Sequence, residues 1–210
     1  MKEIKDLKLK RYQRLQKRIF DILISIIAII CLSPIYFLIA ILVKIDSKGK
    51  VIYLQERIGQ NGKIFNIYKF RTMIEDAEKE TGPVLEMKND IRVTRIGKIL
   101  RRRKLDELPQ FFNVLKGDMS IVGPRPERPY FANKIKGNCR DFEYREMFKP
   151  GITGLACIEL GYYANPEEKL KYDLWYMENW SMILDVKICI MTVKLILNFH
   201  LKCNKNFREM

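Results

Sequence analysis

An adjacent pair of acidic residues beside a run of cations is the part of this 210-residue sequence best equipped for chemistry. Asp106 and Glu107 follow the basic run Arg101–Lys104 after one residue, Leu105, and are separated from Pro109 by Leu108. Carboxylates can act as nucleophiles or ligate a divalent cation, and guanidinium groups favour phosphate as a partner. Taken alone, however, the pair is better explained by helix capping and surface ion pairs.

Further cations stand in segments that would hold them in place. Arg125 lies between two prolines in the segment Gly123–Glu127, so its backbone is ordered before any bidentate contact with a phosphate is made. Lys69 and Arg71 place two more cations near the end of a predicted strand. The rigid turn Lys149–Gly154 fits a structural corner and a ligand contact equally well.

The acidic pair stands at the start of a predicted helix. Leu108, Phe111, Phe112 and Leu115 recur at i, i+3, i+4 and i+7, which predicts a helix with one apolar face. Gly117 is the predicted C-cap. The positive end of this helix dipole would favour the two carboxylates.

Other elements follow from periodicity and turn residues. Two β-prone runs, Val51–Glu56 and Lys63–Phe70, are joined through Gly59–Gly62, which predicts a hairpin. A basic helix is predicted for Ile96–Lys104. Met182–Phe199 predicts a hydrophobic helix whose polar positions suit an interfacial or packed helix better than a membrane span.

A run of 22 residues without formal charge, Ile22–Val43, is long enough to span a bilayer as a helix of about 33 Å. Pro34 sits at its middle and removes a backbone donor, and the Ser33 hydroxyl is a candidate partner for the freed carbonyl. Basic residues flank both ends, so the positive-inside rule identifies no outer end. A re-entrant pair of half-helices and a kinked spanning helix fit these observations equally well.

Composition limits the classes of function. The sequence has 39 Lys and Arg against 25 Asp and Glu, a formal charge of +14, which attracts nucleic acid, anionic lipid or phosphorylated substrates. The single histidine, His200, excludes multi-histidine zinc sites. The five scattered cysteines indicate reduced thiols, not a disulfide framework.

The ordered set of motifs resembles the bacterial sugar transferases, the monotopic phosphoglycosyl transferases, from about Lys17 to Lys194. Each motif alone is weak, but their order is highly specific. They are KRIFD at Lys17–Asp21, Ser33-Pro34, QERIG at Gln55–Gly59, KFRTM at Lys69–Met73, DELPQ at Asp106–Gln110, GDMSIVGPRPE at Gly117–Glu127 and PGITG at Pro150–Gly154.

The resemblance implies transfer of a sugar phosphate from a UDP-sugar to undecaprenyl phosphate, the first membrane step of polysaccharide or glycoconjugate assembly, including capsule and exopolysaccharide. Asp106 would be the nucleophile that forms a covalent phosphosugar intermediate, and Glu107 would help to bind Mg²⁺. The candidates for holding the phosphates are Lys69, Arg71, Arg101 and Arg125. Their charge predicts a low pKa for Asp106.

The resemblance also favours the re-entrant topology and an α+β fold on the cytoplasmic face of the bacterial cell membrane. Residues 1–18 would be a basic segment, 19–44 a re-entrant helix-break-helix, and 45–210 a small cytosolic domain with a β-hairpin and amphipathic interfacial helices. Because only 18 residues precede Ile19, the resemblance implies the minimal catalytic form.

Lipid contacts are expected at several places. Phe111, Phe112 and the C-terminal helix would complete the surface that faces the membrane. Four cations would attract anionic lipid, by about 1 kcal/mol each. They are Arg11, Arg14, Lys17 and Arg18.

Two departures from the family pattern bear, in turn, on the local phosphate contacts and on the sugar, which stays unnamed. Arg103-Lys104 stands where small hydroxyl residues are common, and Cys157 stands where a glutamine is usual. Three other functions remain open: a membrane-attached nucleic-acid binder, a non-catalytic scaffold and a Mg²⁺-dependent diphosphate hydrolase. No nucleic acid partner is expected.

Overall fold

The structure is a computed structural model that describes residues 9–79, 82, 84, 90–160 and 164–197, apart from the side chain of Arg140. His200, Cys203, Pro83, Phe199 and residues 1–8 of the segment 1–18 predicted as basic lie outside the described residues. The helices are α1 (Arg11–Asp46), α2 (Arg95–Arg102), α3 (Gln110–Lys116), α4 (Pro129–Asn138), α5 (Leu155–Glu159), α6 (Pro166–Glu178) and α7 (Met182–Leu197). The strands are β1 (Ile52–Ile58), β2 (Ile64–Phe70), β3 (Ser120–Val122) and β4 (Gly151–Thr153).

Helix α1 continues through Pro34 without a break in its helical assignment, so the predicted helix-break-helix is seen as one helix of 36 residues. Pro34 has no N–H to donate to the carbonyl of Ile30. The Ser33 hydroxyl donates to that carbonyl instead, at 2.8 Å. This confirms the predicted role of Ser33, since a helix in lipid must satisfy its backbone groups internally.

Helix α1 exposes apolar side chains and buries polar ones, which is the reverse of the pattern on a helix in water. Leu23, Ile30 and Phe37 are exposed, whereas Lys17 and Asp21 are buried. Among the described residues, α1 is the one helix long and apolar enough to cross a membrane. An apolar exterior over most of the helix is typical of a segment surrounded by lipid.

Buried polar contacts fix the N-terminal part of α1 to the domain. Lys17 donates to Asp185 of α7 at 2.5 Å, and Asp21 accepts from the Ser120 hydroxyl and the Ile121 backbone N–H. The expectation that Lys17 attracts anionic lipid is therefore wrong, because its ammonium is buried in an ion pair. Arg18 is also engaged internally, as it donates to the last carbonyls of α3.

The predicted hairpin is confirmed, with β1 and β2 antiparallel and Ile52 opposite Phe70. Strands β3 and β4 form a second, parallel pair. At Gly123, Gly151 and Gly154 a Cβ would overlap backbone atoms of the partner segment. The turn predicted as a corner or a ligand contact thus serves as a corner that packs against the segment Gly123–Glu127.

The main core lies between β3 and the helices α3, α5, α6 and α7. Tyr176 and Trp180, aromatic residues just before α7, belong to this core. A smaller cluster joins Ile39 and Val43 of α1 to Phe70 and Leu100. The C-terminal part of α1 is therefore also packed on the domain.

Candidate active site

The acidic pair lies on a 3-10 turn, Leu105–Glu107, between α2 and α3. Lys104 precedes it with a φ of 57°, a left-handed conformation that reverses the chain after α2. Both carboxylates are largely buried from solvent, yet they line an open cavity of about 1120 Å³. Sequence reasoning alone preferred capping and surface ion pairs, and the burial of both groups contradicts a surface role.

Helix α3 continues the turn and buries polar side chains on the side of the acidic pair. Gln110 and Asn113 are almost completely buried, whereas Phe112 is 43% exposed. The residues of the predicted apolar face have different surroundings. Leu108 packs against the smaller cluster and Phe111 against the main core. Phe112, which was expected to help form the surface facing the membrane, contacts Tyr36 of α1 edge to face.

Glu107 forms the centre of an ion-pair cluster. Arg125 grips its carboxylate bidentately, with Nη1 donating to Oε2 at 3.2 Å and Nη2 donating to Oε1. The ammonium of Lys69 lies 3.4 Å from the same Oε1. These cations hold the pKa of Glu107 well below its usual range, although burial alone would raise it.

Asp106 is differently placed. Its Oδ1 is buried and has no hydrogen-bond partner among the described residues. Burial raises the pKa of Asp106, and the lowering effects of Lys69, Lys104 and Arg101 do not outweigh it. The prediction that neighbouring cations keep the pKa of Asp106 low is wrong in direction, because a sequence does not reveal the desolvation of the carboxylate.

The segment that carries Arg125 between two prolines is fixed by hydrogen bonds from β1. Arg57 of β1 donates to the carbonyl of Pro126 at 2.9 Å, and the N–H of Ile58 donates to the carbonyl of Glu127. This places Arg125 at the cavity wall. The structure thus brings Arg125 to the acidic pair, where it binds the Glu107 carboxylate, and its contact with a phosphate stays a prediction.

The remaining candidate cations all line the cavity, with different contacts. Arg101 donates from Nε to the Thr72 hydroxyl at 2.7 Å. Arg71 donates to the carbonyls of Val43 and Ser47 and so caps the end of α1. Lys69 has its pKa lowered by burial, with Glu107 acting in the opposite direction.

Asn113 is the main residue of this region that sequence reasoning missed. Its side chain accepts from the Tyr68 N–H at 2.9 Å and donates to the Asn66 carbonyl at 2.8 Å, so it fills the open edge of β2. The only available signal was a polar residue within the apolar helix. Tyr36, whose hydroxyl donates to the Leu108 carbonyl at 2.6 Å, was also missed. Its signal, too, was a single polar group within an apolar segment.

The acidic pair can contribute carboxylate oxygens to a metal site but does not form one alone. Among the described residues, no three His, Cys, Asp or Glu side chains lie close enough together to hold a metal ion. The unpartnered Oδ1 of Asp106 is an oxygen donor of the kind that Mg²⁺ accepts. A divalent cation therefore fits if a ligand in the cavity supplies most of its other oxygens.

The fold and the cavity define a domain with an apolar, outward-facing helix and a cation-lined site for an anionic ligand. The chain belongs to the bacterial sugar transferase family, whose sequence model matches residues 12–199. This confirms the resemblance found in the motifs.

Three relatives illustrate the similarity. The chain is 44% identical over 184 residues to the UDP-N-acetylgalactosamine-undecaprenyl-phosphate N-acetylgalactosaminephosphotransferase of Aeromonas hydrophila, covering 86% of this chain and 43% of that protein. It is 45% identical over 182 residues to the UDP-glucose:undecaprenyl-phosphate glucose-1-phosphate transferase of Klebsiella pneumoniae, covering 84% and 39%. It is 39% identical over 182 residues to an uncharacterized sugar transferase, EpsL, of Bacillus subtilis, covering 86% and 87%.

The coverage differs between these relatives. The aligned region spans about two fifths of the Aeromonas and Klebsiella proteins, at 43% and 39%, and most of the Bacillus protein. The similarity therefore assigns the family of this domain.

Proposed function

We propose that this protein transfers a sugar phosphate from a UDP-sugar to undecaprenyl phosphate and releases UMP. The observation that carries the proposal is the placement of Asp106, which lines a cavity together with Lys69, Arg101 and Arg125 and whose buried Oδ1 has no hydrogen-bond partner among the described residues. A cationic cavity suits a diphosphate, and a carboxylate oxygen free of partners suits attack on phosphorus. The named activities of the Aeromonas and Klebsiella relatives support the same reaction class.

The proposed chemistry has two steps. In the first, a carboxylate oxygen of Asp106 forms a bond to the phosphorus that bears the sugar, and the bond from that phosphorus to the bridging oxygen breaks. UMP leaves with the electron pair. In the second step, a phosphate oxygen of undecaprenyl phosphate attacks the same phosphorus and releases the Asp106 carboxylate.

The residues of the cavity would lower the cost of bringing a carboxylate to an anionic diphosphate. Lys69 and Arg101 would neutralise phosphate charge, and the buried setting would strengthen each contact because water is excluded. Mg²⁺ would add Lewis acidity at the leaving phosphate, with ligands drawn from the acidic pair and the diphosphate.

The proposal includes a re-entrant α1 with the domain on the cytoplasmic side of the membrane. Lys17 and Asp46, near the two ends of α1, both contact the domain, through Asp185 and the Ile96 N–H respectively. A straight helix would hold these two residues about 44 Å apart, more than the thickness of a bilayer core. Contacts of both ends with one domain support a helix that enters and leaves on the same face.

A cytoplasmic placement agrees with the basic residues on both sides of the apolar run, since Lys and Arg near membrane segments favour that side. At the cytoplasmic surface of the membrane, the phosphate of undecaprenyl phosphate and the acidic pair would lie at the same depth in the interface. Exposed Phe112, on the outer face of α3, would lie against acyl chains.

The test is UMP release from a panel of UDP-sugars with undecaprenyl phosphate and Mg²⁺. We expect lipid-dependent release by the wild type and a loss of at least about 10³-fold in Asp106→Asn, as for removal of a catalytic nucleophile. The matched control is Asp141→Asn, which changes an exposed carboxylate outside the cavity and should leave the rate unchanged. Without lipid we expect at most one UMP per protein, from the first step, so repeated turnover that needs no lipid would indicate a hydrolase and contradict the proposal.

A further inference from the structure

Lys149 is a cation without a contact partner. It stands just before β4, and its side chain is half-buried. Its ammonium forms no hydrogen bond or ion pair with any residue that the structure describes. Burial and the neighbouring guanidinium of Arg18 both lower the pKa of Lys149. A partly desolvated ammonium beside a second cation is stabilised by a nearby anion, which the folded chain does not supply at contact distance.

Arg18 of α1 and Lys149 both flank Gly117, the residue that ends α3. A Cβ at Gly117 would lie 3.7 Å from Nη2 of Arg18 and 3.7 Å from Nζ of Lys149, and no closer atom surrounds that position apart from the adjacent residues of the chain. The two nitrogens are therefore at most twice that distance apart. One phosphate, with an oxygen towards each nitrogen, can bridge such a pair. We call the space between the two cations the Gly117 notch.

Arg18 can bind an anion while it caps α3. Its Nη1 donates to the Val114 carbonyl at 2.5 Å, and its Nη2 donates to the Leu115 carbonyl at 2.7 Å. A guanidinium has five N–H groups, so these two contacts leave others for a ligand. The carbonyls also hold the guanidinium in one position, which reduces the entropy lost on binding.

The other charged groups around Lys149 are the carboxylates of Asp21 and Asp118. Each has a contact of its own. Asp21 accepts from the Ser120 hydroxyl at 3.0 Å, and Asp118 lies 3.6 Å from the ammonium of Lys116. Neither carboxylate reaches ion-pair distance from Lys149, so the notch keeps two cations facing a site that an anion can enter.

The notch lies where the surface of α1 changes from basic to apolar. Arg11 and Arg14 are exposed before it, and Ile19, directly after Arg18, is 50% exposed. Beyond Arg18, α1 exposes no charged side chain until Lys44. A cation at the start of a segment that faces lipid lies at the level of the phospholipid headgroups. This placement favours a lipid phosphate over a free phosphate.

We propose that the Gly117 notch binds the phosphate of an anionic phospholipid, with Lys149 and Arg18 as its contacts. The notch is separate from the cavity, because neither residue lines the cavity and the seven residues of α3, about 10 Å of helix, lie between Gly117 and the acidic pair. The bound lipid would join α1, α3 and the turn before β4. This inference needs the membrane attachment of α1 and is independent of the proposed reaction.

The experiment counts lipid that stays with the protein. The detergent-solubilised full chain is mixed with micelles that contain radiolabelled phosphatidylglycerol or phosphatidylcholine, captured and washed, and the retained lipid per protein is measured over a range of lipid concentrations. We expect the wild type to retain phosphatidylglycerol at one site, to saturation, with at least about fivefold preference over phosphatidylcholine. Inorganic phosphate at the same concentration should not displace the lipid.

Three variants test the site. Lys149→Gln should bind phosphatidylglycerol about fivefold more weakly, as for the loss of one cation beside an anionic lipid, and Lys149→Arg should restore the affinity. Lys48→Gln is the matched control, because it removes the same charge at an exposed position beyond the other end of α1 and should stay within about twofold of the wild type. Circular dichroism checks that all three variants are folded.

Three results would overturn the inference. The first is unchanged binding of phosphatidylglycerol by folded Lys149→Gln. The second is displacement of the lipid by inorganic phosphate, which would make the notch a site for a free anion. The third is displacement by undecaprenyl phosphate at a lower concentration than by unlabelled phosphatidylglycerol, which would make the notch a site for the acceptor.

Discussion

Asp106 and Glu107 are adjacent in sequence, yet their surroundings drive their pKa values in opposite directions. The pKa of Glu107 is held down by Arg125 and Lys69, while burial raises the pKa of Asp106 and the neighbouring Glu107 charge raises it further. A nucleophilic carboxylate must be ionised, and a raised pKa makes it a stronger nucleophile once it is. The pair therefore combines Glu107, whose carboxylate stays ionised, with Asp106, whose carboxylate is the stronger nucleophile when it is ionised.

Because Asp106 must be ionised to react, we predict that the rate of the first step falls at low pH, as an acid limb of the pH–rate profile. Lys69 is the cation that lowers the pKa of Asp106 most, so Lys69→Gln should raise that pKa further. The loss of activity on acidification should then begin at a higher pH than in the wild type. The rate to measure is the burst of UMP without acceptor lipid, since the lipid phosphate itself titrates.

Lys116→Gln is the matched control, because Lys116 is 62% exposed and pairs with Asp118 outside the cavity. Its acid limb should coincide with that of the wild type. A limb that moves to lower pH in Lys69→Gln would contradict the assignment of Asp106 as the titrating nucleophile.

Much of the candidate site could be predicted at the scale of single residues. Asp106, Glu107, Lys69 and Arg125 come together as the motifs suggested, because each stands in a short segment of fixed conformation. The engagement of Arg71 with the end of α1 could not be predicted, since it depends on a contact between residues 24 positions apart.

Helix α3 shows how a membrane surface changes the reading of an amphipathic pattern. In water the apolar stripe of a helix faces the core, whereas the resemblance to the sugar transferases placed Phe111 and Phe112 on the surface that faces the membrane. Here Asn113 and Gln110 face inward and Phe112 faces out. The period of the pattern was predicted correctly, but the side that is buried depends on whether the outer solvent is water or lipid.

Asn113 should be essential to the placement of the acidic pair relative to β2. Asn113→Ala leaves the Tyr68 N–H and the Asn66 carbonyl without their partner, at a cost of about 1–3 kcal/mol each. We expect the melting temperature to fall by about 4–24 °C, since the total cost is about 2–6 kcal/mol and each kcal/mol lowers it by about 2–4 °C for a chain of this size. UMP release should fall as well, because Lys69 follows Tyr68 directly.

Thermal unfolding of the solubilised protein, followed by circular dichroism, measures this effect. Asn138→Ala, at the exposed end of α4, is the control and should be neutral. An unchanged melting temperature in Asn113→Ala would show that water replaces the lost contacts and that α3 does not depend on this link.

Several elements were predictable because they depend on local chemistry. The hairpin of β1 and β2 and the C-cap at Gly117, with a φ of 97°, follow from glycine positions. The contact of Ser33 with the Ile30 carbonyl follows from the missing N–H of Pro34. The parallel pair of β3 and β4 joins segments about 30 residues apart and left no local signal.

At the scale of the whole molecule, α1 is the element that attaches the domain to the membrane, and buried polar contacts hold its ends. Arg18 donates to the carbonyls of Val114 and Leu115, near one end of α3, and Tyr36 donates to that of Leu108, near the other. In the proposed topology the apolar run between them leaves the domain and returns to it. Both flanks of α1 should therefore lie on the same side of the membrane.

Cysteine labelling tests this topology. In a background without the native cysteines, Lys10→Cys and Lys50→Cys, both at exposed positions, should be protected in spheroplasts from a reagent that does not cross membranes. Both should be labelled in inverted vesicles. Labelling of only one of them in spheroplasts would favour a spanning helix and contradict the re-entrant topology.

The central claim is that Asp106 carries the phosphosugar between donor and acceptor, and trapping that intermediate tests it most directly. The protein is incubated without lipid with a UDP-sugar labelled in the phosphate next to the sugar, then digested and examined by mass spectrometry. We predict label on the peptide that contains Asp106, its loss in Asp106→Asn, and its transfer to undecaprenyl phosphate when the lipid is added. Lipid-dependent turnover without label on that peptide, or label on another residue, would contradict the account.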